Sequence, residues 1–405
     1  MKKYDNYKNS GVEWLGEIPE HWEALSNKFI FNLNKNLVGK KSSEYDLLSL
    51  TLNGVIKRDM ENPQGKFPAE FDTYQEVKRG YFIFCLFDVE ETPRTVGLSD
   101  FDGMITGAYT VMQVNKNFDK SFLYYFYLNL DAGKRMKPLY TGLRNTISKD
   151  NFFSFKTFVP PIQEQTAIAN FLDEKTTKID QAIAIKQQQI ALLQERRQIL
   201  IHKAVTRGLN ENVKLKDSGV EWIGEIPEHW EVKALKFICN LQSGEFISSE
   251  DFKENGYPIY GGNGFRGFSE KYTNDGFYIL IGRQGALCGN VNYADGKFYA
   301  TEHAVVVYPL NSENVLWLGE TIKIANFNRL SQSAAQPGIA VGVIKNERFP
   351  YPPKQEQTEI AKFIETATTK IATAISLKEQ EIEKLKEYKM SLIDGVVTGK
   401  VRVIS

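Results

Sequence analysis

Arg283 and Gln284 stand between glycines in Gly282-Arg283-Gln284-Gly285, and Asn263 and Arg266 stand within the Gly-rich run 261–267. These residue types on Gly-rich loops suit the reading of base edges. An arginine fork takes guanine, and an asparagine or glutamine amide takes adenine, each by paired hydrogen bonds. Ordinary strand connections with solvated side chains have the same composition, so each residue alone supports both readings. Gly262 to Gly267 also spells G-x-G-x-x-G, but no helical pattern follows, and the match is a chance one. Catalytic constellations are missing. No Gly-Lys pair precedes Ser or Thr, so there is no phosphate-cradling loop. Neither Asn-Pro-Pro-Tyr nor Asp-Pro-Pro-Tyr occurs, and no convincing Ser-His-Asp or Cys-His set is visible. His21 and His229 each follow Ile-Pro-Glu and precede Trp, which reads as a helix start with aromatic packing and a structural role.

The elements that position these loops come from a duplication. Ser10 to Glu23 reads S-G-V-E-W-L-G-E-I-P-E-H-W-E, and Ser218 to Glu231 repeats it with Leu15 replaced by Ile223. Pro160-Pro161-Ile162-Gln163-Glu164-Gln165-Thr166 returns as Pro352-Pro353-Lys354-Gln355-Glu356-Gln357-Thr358. The segments between the phrases differ in length and do not align. A duplicated frame therefore holds two dissimilar inserts, an arrangement that suits two specificities presented with one geometry.

A long stretch without helix breakers follows each Pro-Pro, to about Val205 and, apart from Gly395, about Val397. Proline is tolerated where a helix starts. Roughly 40 helical residues would span about 60 Å, more than one globular domain needs. Apolar positions follow a 4-3 seam: Ile179, Ile183, Lys186, Ile190, Leu193, Arg197 and Leu200 in the first helix. In the second it runs Ile371, Ile375, Lys378, Ile382, Leu385, Lys389 and Leu392. This is a coiled-coil pattern in which each helix is the obvious partner of the other. A parallel in-register pair would stack Lys186 on Lys378 and Arg197 on Lys389, so the antiparallel arrangement is favoured. The alternative is two separate helices, each packed on its own domain.

The expected fold class is α+β. Two α/β domains are joined by two long helices in an antiparallel coiled coil, with an internal pseudo-two-fold duplication. In the first insert Gly80–Phe84 and Ala108–Met112 read as strands and Ser121–Arg135 as a helix with an aromatic face. In the second, Gly276–Ile281 and Ala304–Tyr308 read as buried strands. The four divisions are 1–159, 160–208, 209–351 and 352–405.

Bulk properties narrow the class. The chain of 405 residues has room for two or three domains. Cys85, Cys239 and Cys288 are few and widely spaced, which argues for a reducing compartment and against a disulfide framework. A zinc site is not expected, since no cysteine pair has ligand spacing and the four histidines are scattered. The first residues lack the apolar run of a leader, and no run is long enough to cross a bilayer, so a cytoplasmic protein is the default. Net charge is zero, from 50 basic and 50 acidic residues. Residues 24–159 carry 18 basic and 15 acidic groups (+3), and residues 232–351 carry 11 of each (0). Binding to a polyanion would need local patches or positive charge from a partner.

The phrases G-E-I-P-E-H-W and P-P-x-Q-E-Q-T-x-I-A-x-F resemble those of the specificity subunits of type I restriction–modification systems. Tyr257 to Gly264, Gly282 to Gly285 and Thr301-Glu302-His303-Ala304 resemble phrases of that family's target-recognition domains. The resemblance covers essentially the whole chain in order. It implies a non-catalytic subunit that binds DNA at a bipartite, asymmetric site, one half per domain, with the coiled coil fixing the separation. It further implies two docked methyltransferase subunits and translocating nuclease subunits, with S-adenosylmethionine, ATP and Mg on those partners and none on this chain. The expected DNA contacts are Lys78, Arg79, Tyr109, Arg144 and Lys149 in the first domain. Those in the second are Asn263, Arg266, Arg283, Gln284, Lys297 and Gln336. Lysine would position on phosphate, while Arg, Asn and Gln would specify. Two rivals stand beside this reading. One is a coiled-coil adaptor presenting two small-molecule or peptide-binding domains, and the other, disfavoured by the missing tetrapeptide, is a self-contained methyltransferase.

Overall fold

The computed structural model describes residues 2–60, 70–285, 287–331 and 338–403. Two compact units emerge, one of residues 1–185 with 380–405 and one of residues 186–379. Both long helices, Ile162–Arg207 and Lys354–Val397, contribute a segment to each unit. The boundary of the units thus falls inside the helices, because each helix half packs with the insert beside it.

In the first unit, strands Phe31–Leu33, Thr110–Val114, Phe82–Phe84 and Val96–Leu98 form an antiparallel sheet in that spatial order. Its side chains explain the strands: Phe31, Phe82, Phe84 and Met112 are buried together against Phe122, Phe126 and Tyr127 of helix Lys120–Ala132. Asp119 caps that helix by accepting from the Phe122 amide at 3.0 Å. The Tyr127 hydroxyl, fully buried, reaches Asn27 and Thr157, both at 2.8 Å.

The second unit repeats this plan with unrelated residues. Strands Cys239–Ser243, Ala304–Pro309, Tyr278–Gly282 and Val291–Ala294 take the same sheet order. Helix Val315–Ala325 follows, capped by Asn314. The two inserts do not align in sequence, yet their central sheets are equivalent. Alternation and apolar burial are enough to build both. The second insert also has a smaller sheet in the order Gly264–Ser269, Tyr257–Gly261, Lys297–Ala300 and Asn274–Asp275, whose Phe298 packs against Leu280, Ala294 and Val306 of the central sheet. The sequence expectations for strands and helices hold with shifts of one to two residues at most ends.

In each unit the helix segments run antiparallel. Asp180 holds Lys389 in the first unit, at 2.6 Å. In the second, Leu193 and Leu200 share a cleft with Ile371 and Ala367. Seam positions are buried or half-buried except Arg197, while Gln187, Gln188, Gln189, Glu379, Gln380 and Glu381 are exposed. The heptad reading therefore describes the packing.

The recurrent phrases have a common geometry. Each S-G-V-E-W-x-G stretch is a tight loop closed by the Gly16 amide donating to Val12, or Gly224 to Val220. Gly11, Gly16, Gly219 and Gly224 all have φ between +68° and +75°, which explains glycine there. Glu17–Pro19 then pairs with Tyr7–Asn9, and Glu225–Pro227 with Leu215–Asp217, in identical register. The Ile-Pro-Glu-His-Trp stretch is not the helix start that its sequence suggested. The Trp22 and Trp230 amides each donate to the proline carbonyl three residues back, and the chain turns into strands Glu23–Ser26 and Glu231–Ala234. Proline at the end of a strand initiates that turn instead of a helix. In the first unit Lys2 pairs with Arg402, so residues from both ends of the chain do what the continuous segment after Gly208 does in the second.

Candidate nucleic-acid interface

Glycines bring three loops of the second insert together at one end of its central sheet. A Cβ on Gly282 would fall 2.0 Å from the Gly262 carbonyl oxygen, and one on Gly244 would fall 2.2 Å from that of Ala300. Only glycine permits these approaches. As a result Asn263, Arg283 and the turn Thr301–His303 are neighbours. The Arg283 amide donates to the His303 carbonyl at 3.0 Å, and its guanidinium donates from Nη1 to Ser243 at 2.9 Å. Asn290 donates to the Asn263 side chain at 3.3 Å.

The cluster holds unused polar capacity. Arg283 Nε, Asn292 Nδ2, Glu302 Oε2 and His303 Nδ1 have no hydrogen-bond partner among the described residues. Unmet buried groups of this kind are rare and call for a reason. Glu302 and His303 pair with each other at 3.2 Å, so each spends one of its two polar ends. Sequence reasoning did not single out Glu302, His303 or Asn292 as contacts. The Thr-Glu-His-Ala phrase was the signal for Glu302 and His303, and Asn292 had none.

The remaining second-insert candidates disperse. Gln284 is exposed beside the cluster and bridges to Gly338. Arg266 is exposed on the adjoining hairpin, its guanidinium 6.0 Å from the Phe252 ring. Lys297 lies at the far end of strand Lys297–Ala300, over the Tyr272 ring at 4.7 Å. Gln336 falls outside the described residues.

Strand register identifies the corresponding end of the first insert. Phe31 follows its one-turn helix as Cys239 follows its own, so Thr110 opposite Phe84 corresponds to Val305 opposite Ile281. Tyr109 therefore takes the place of Ala304, next to His303. Its ring lies 6.0 Å from that of Phe87, and burial holds its hydroxyl above the ordinary tyrosine range. Arg144 comes to the same end. It binds both oxygens of Asp88, with Nε to Oδ1 at 2.9 Å, and stacks over Phe87 at 5.9 Å. That contact holds the Asp88 carboxyl below its usual value and raises the Arg144 guanidinium further. Lys78 and Arg79 sit at the opposite end of strand Phe82–Phe84. There Lys78 pairs with Glu76 and the Arg79 amide donates to Asp102. Lys149 is exposed at the start of helix Lys149–Ser154.

His21 and His229 belong to a different construction. Glu164, at the start of the first long helix, accepts from His21 Nε2 (2.7 Å), Trp22 Nε1 (3.1 Å) and the Tyr4 hydroxyl (2.6 Å). Glu356 accepts from His229 Nε2 (2.6 Å) and Trp230 Nε1 (2.9 Å). The adjacent glutamines clamp the inserts. Gln165 accepts from the Asp119 amide and donates to the Pro160 carbonyl, while Gln357 does the same with Asn314 and Pro352. The repeated His, Trp, Glu and Gln are thus the joint that fastens an insert to a helix. Among the described residues no group of three His, Cys, Asp or Glu side chains could hold a metal, and no helix is long and apolar enough to cross a membrane.

Comparison with known proteins agrees with this construction. The model of the type I restriction modification DNA specificity domain matches residues 95–195 and 227–387. The type I restriction enzyme EcoprrI specificity subunit of Escherichia coli is 39% identical over 142 residues, which is 34% of this chain and 35% of that one. The MjaVIII specificity subunit of Methanocaldococcus jannaschii is 26% identical over 322 residues, 72% of each chain. A solved chain of a type I R-M system, described for complex assembly and conformational transition, shares the fold. Its TM-score is 0.72 at 14% identity, over 95% of this chain and 99% of that one. Two inserts on a duplicated helical frame, matched by the family model in both halves, make this chain a member of the type I restriction modification DNA specificity family.

Proposed function

We propose that the chain is the DNA sequence-recognition subunit of a type I restriction–modification complex. Each insert reads one half of a bipartite, asymmetric duplex site, and the paired helices set the separation of the halves. The observation that carries this reading is the recurrence of one joint, Glu164 with His21 and Trp22 and Glu356 with His229 and Trp230, under inserts whose reading ends differ. A frame kept constant under variable ends is what exchangeable half-site readers require. The proposed base readers are Asn263, Arg266, Arg283 and Gln284 in the second insert, with Gln336, and Tyr109 and Arg144 in the first. Lys78, Arg79, Lys149 and Lys297 are the proposed phosphate contacts.

Chemistry belongs to the partners in this reading. Two methyltransferase subunits dock on the equivalent joints and bring S-adenosylmethionine. Restriction subunits bring ATP hydrolysis and Mg. With zero net charge on this chain, the methyltransferases also supply part of the phosphate contact. The proposed compartment is the cytoplasm.

Single-molecule sequencing of host DNA for methylated adenine, with and without the gene, tests the proposal. Loss of one bipartite motif on deletion is the expected result. An unchanged methylome, in a host whose methyltransferase partner is expressed and co-purifies with the chain, would overturn it.

A further inference from the structure

The Arg144 fork is engaged by Asp88, and the residue beside it is the one the fold leaves unattached. Leu143 has a relative accessibility of 104%, the highest of the large apolar side chains among the described residues. It occupies the tip of a hairpin in which Tyr140–Thr141 pairs with Thr146–Ile147. Gly142 and Asn145, with φ of +70° and +44°, turn the chain on either side of it.

Hydrogen bonds within the chain tie the tip down. The Asp88 amide donates to the Arg144 carbonyl at 2.9 Å, and the Ile147 amide to that of Leu86 at 2.8 Å. Asn145 donates to Glu91 at 3.0 Å, and Thr141 Oγ1 to the Thr146 carbonyl at 2.9 Å. A rigid loop that presents one apolar side chain loses little entropy on binding. Its surroundings also restrict the partner. With Arg144 bound to Asp88, and Glu90 and Glu91 on the supporting loop, the tip is a poor phosphate site. Through Phe87 and Tyr109 it shares the sheet end that corresponds to the Gly-rich cluster of the second insert.

We infer that Leu143 is a specificity-determining residue that packs on the 5-methyl group of a thymine in the half-site read by the first insert. This rests on the DNA-recognition reading above. A two-stranded ribbon fits the major groove, and the thymine methyl is the apolar group that base edges display there. Asp88 fixes the ribbon beside it by holding Arg144.

The test is a thermodynamic cycle with the full chain in complex with its methyltransferase subunits. Each thymine of the modified motif is replaced in turn by uracil, which removes only the methyl group. One replacement, in a single half, should weaken binding about four-fold, the ~0.8 kcal/mol of one buried carbon. Leu143→Ala should weaken binding to the thymine duplex at least as much and abolish the response to uracil at that one position, while Leu143→Met restores the response. Independent effects of the two changes would overturn the inference. So would a first-insert half-site without a T·A pair, or a Leu143→Ala chain that sheds its methyltransferase subunits. A wild-type complex that binds no bipartite motif would instead overturn the DNA-recognition reading itself.

Discussion

Replacing Glu164 by alanine should loosen the first unit far more than the same change at Glu356 loosens the second. The Glu164 side chain is 7% exposed and receives three donors, whereas that of Glu356 is 31% exposed and receives two. Trp22 and Trp230 are both fully buried, but the carboxylate that covers the Trp22 indole N–H is the more enclosed of the two, so that N–H is the harder to rehydrate when its glutamate is removed. An orphaned buried donor costs roughly 1–3 kcal/mol, and the lost charge-assisted bonds from Tyr4 and His21 add to this. Because His21 is half-exposed, water recovers part of its share. The sum is about 3 kcal/mol for Glu164→Ala, which is roughly a 150-fold rise in local opening at 1.36 kcal/mol per factor of ten. At Glu356 water can enter where the carboxylate stood, and about 1–2 kcal/mol, on the order of ten-fold, is expected. Native-state hydrogen exchange reads both. Peptides covering residues 17–26 and 162–172 should lose protection in the first variant, and those covering 225–234 and 354–364 should lose less in the second. Equal losses, or a change under about three-fold for Glu164→Ala, would refute the claim that burial of the shared carboxylate sets the strength of the joint.

Three further outcomes follow from named contacts. Burial alone would raise the Asp394 carboxyl, but bonds from Lys400 and Arg135 outweigh it and hold the group below the usual aspartate value. Its contribution is therefore complete above the unfolded value near 3.8 and disappears as pH falls through the lower folded value. Asp394→Asn should be less stable than wild type at pH 7 in urea unfolding followed by circular dichroism, and the gap should close as pH falls through the Asp394 titration; a gap that stays constant into acid would refute this. Arg283→Ala should relax one position of the half-site read by the second insert by about 1–3 kcal/mol, leaving the other half unchanged in the methylated motif. An unaltered motif and affinity would remove Arg283 from the reading set. Gly282→Ala forces a Cβ onto the Gly262 carbonyl and should disorder the Gly-rich cluster, abolishing discrimination in that half while the helical frame keeps its thermal transition.

Periodicity and repetition were legible because they are local. The heptad series places Ile179 and Ile371 inside and Gln187 and Glu379 outside without any tertiary knowledge, and the seam is packed that way. The duplicated phrases announced a duplicated frame. The role of His21 and His229 was legible only as structural. That the histidines sit in a turn, gripping a glutamate more than 120 residues away, depends on a pairing that no local pattern encodes. Proline before Glu-His-Trp suits a helix start and a turn equally well, and the strand pairing of Glu17–Pro19 decides between them.

The candidate interface divides along the same line. Residue type alone marked Arg283 and Asn263, because glycines beside Arg and Asn mark loops that carry polar readers. The neighbours Glu302, His303 and Asn292 entered through glycine contacts between strands far apart in sequence. In the first insert the sequence weighed Arg144 by its charge. Only the fold shows that Asp88 engages that charge and that Leu143 projects instead. Composition and spacing determine which segments become helices and strands and that one frame occurs twice, since those follow from neighbours along the chain. Which side chains remain unsatisfied or exposed at the reading ends is decided by long-range packing, because a group is free only once every competing partner has been placed.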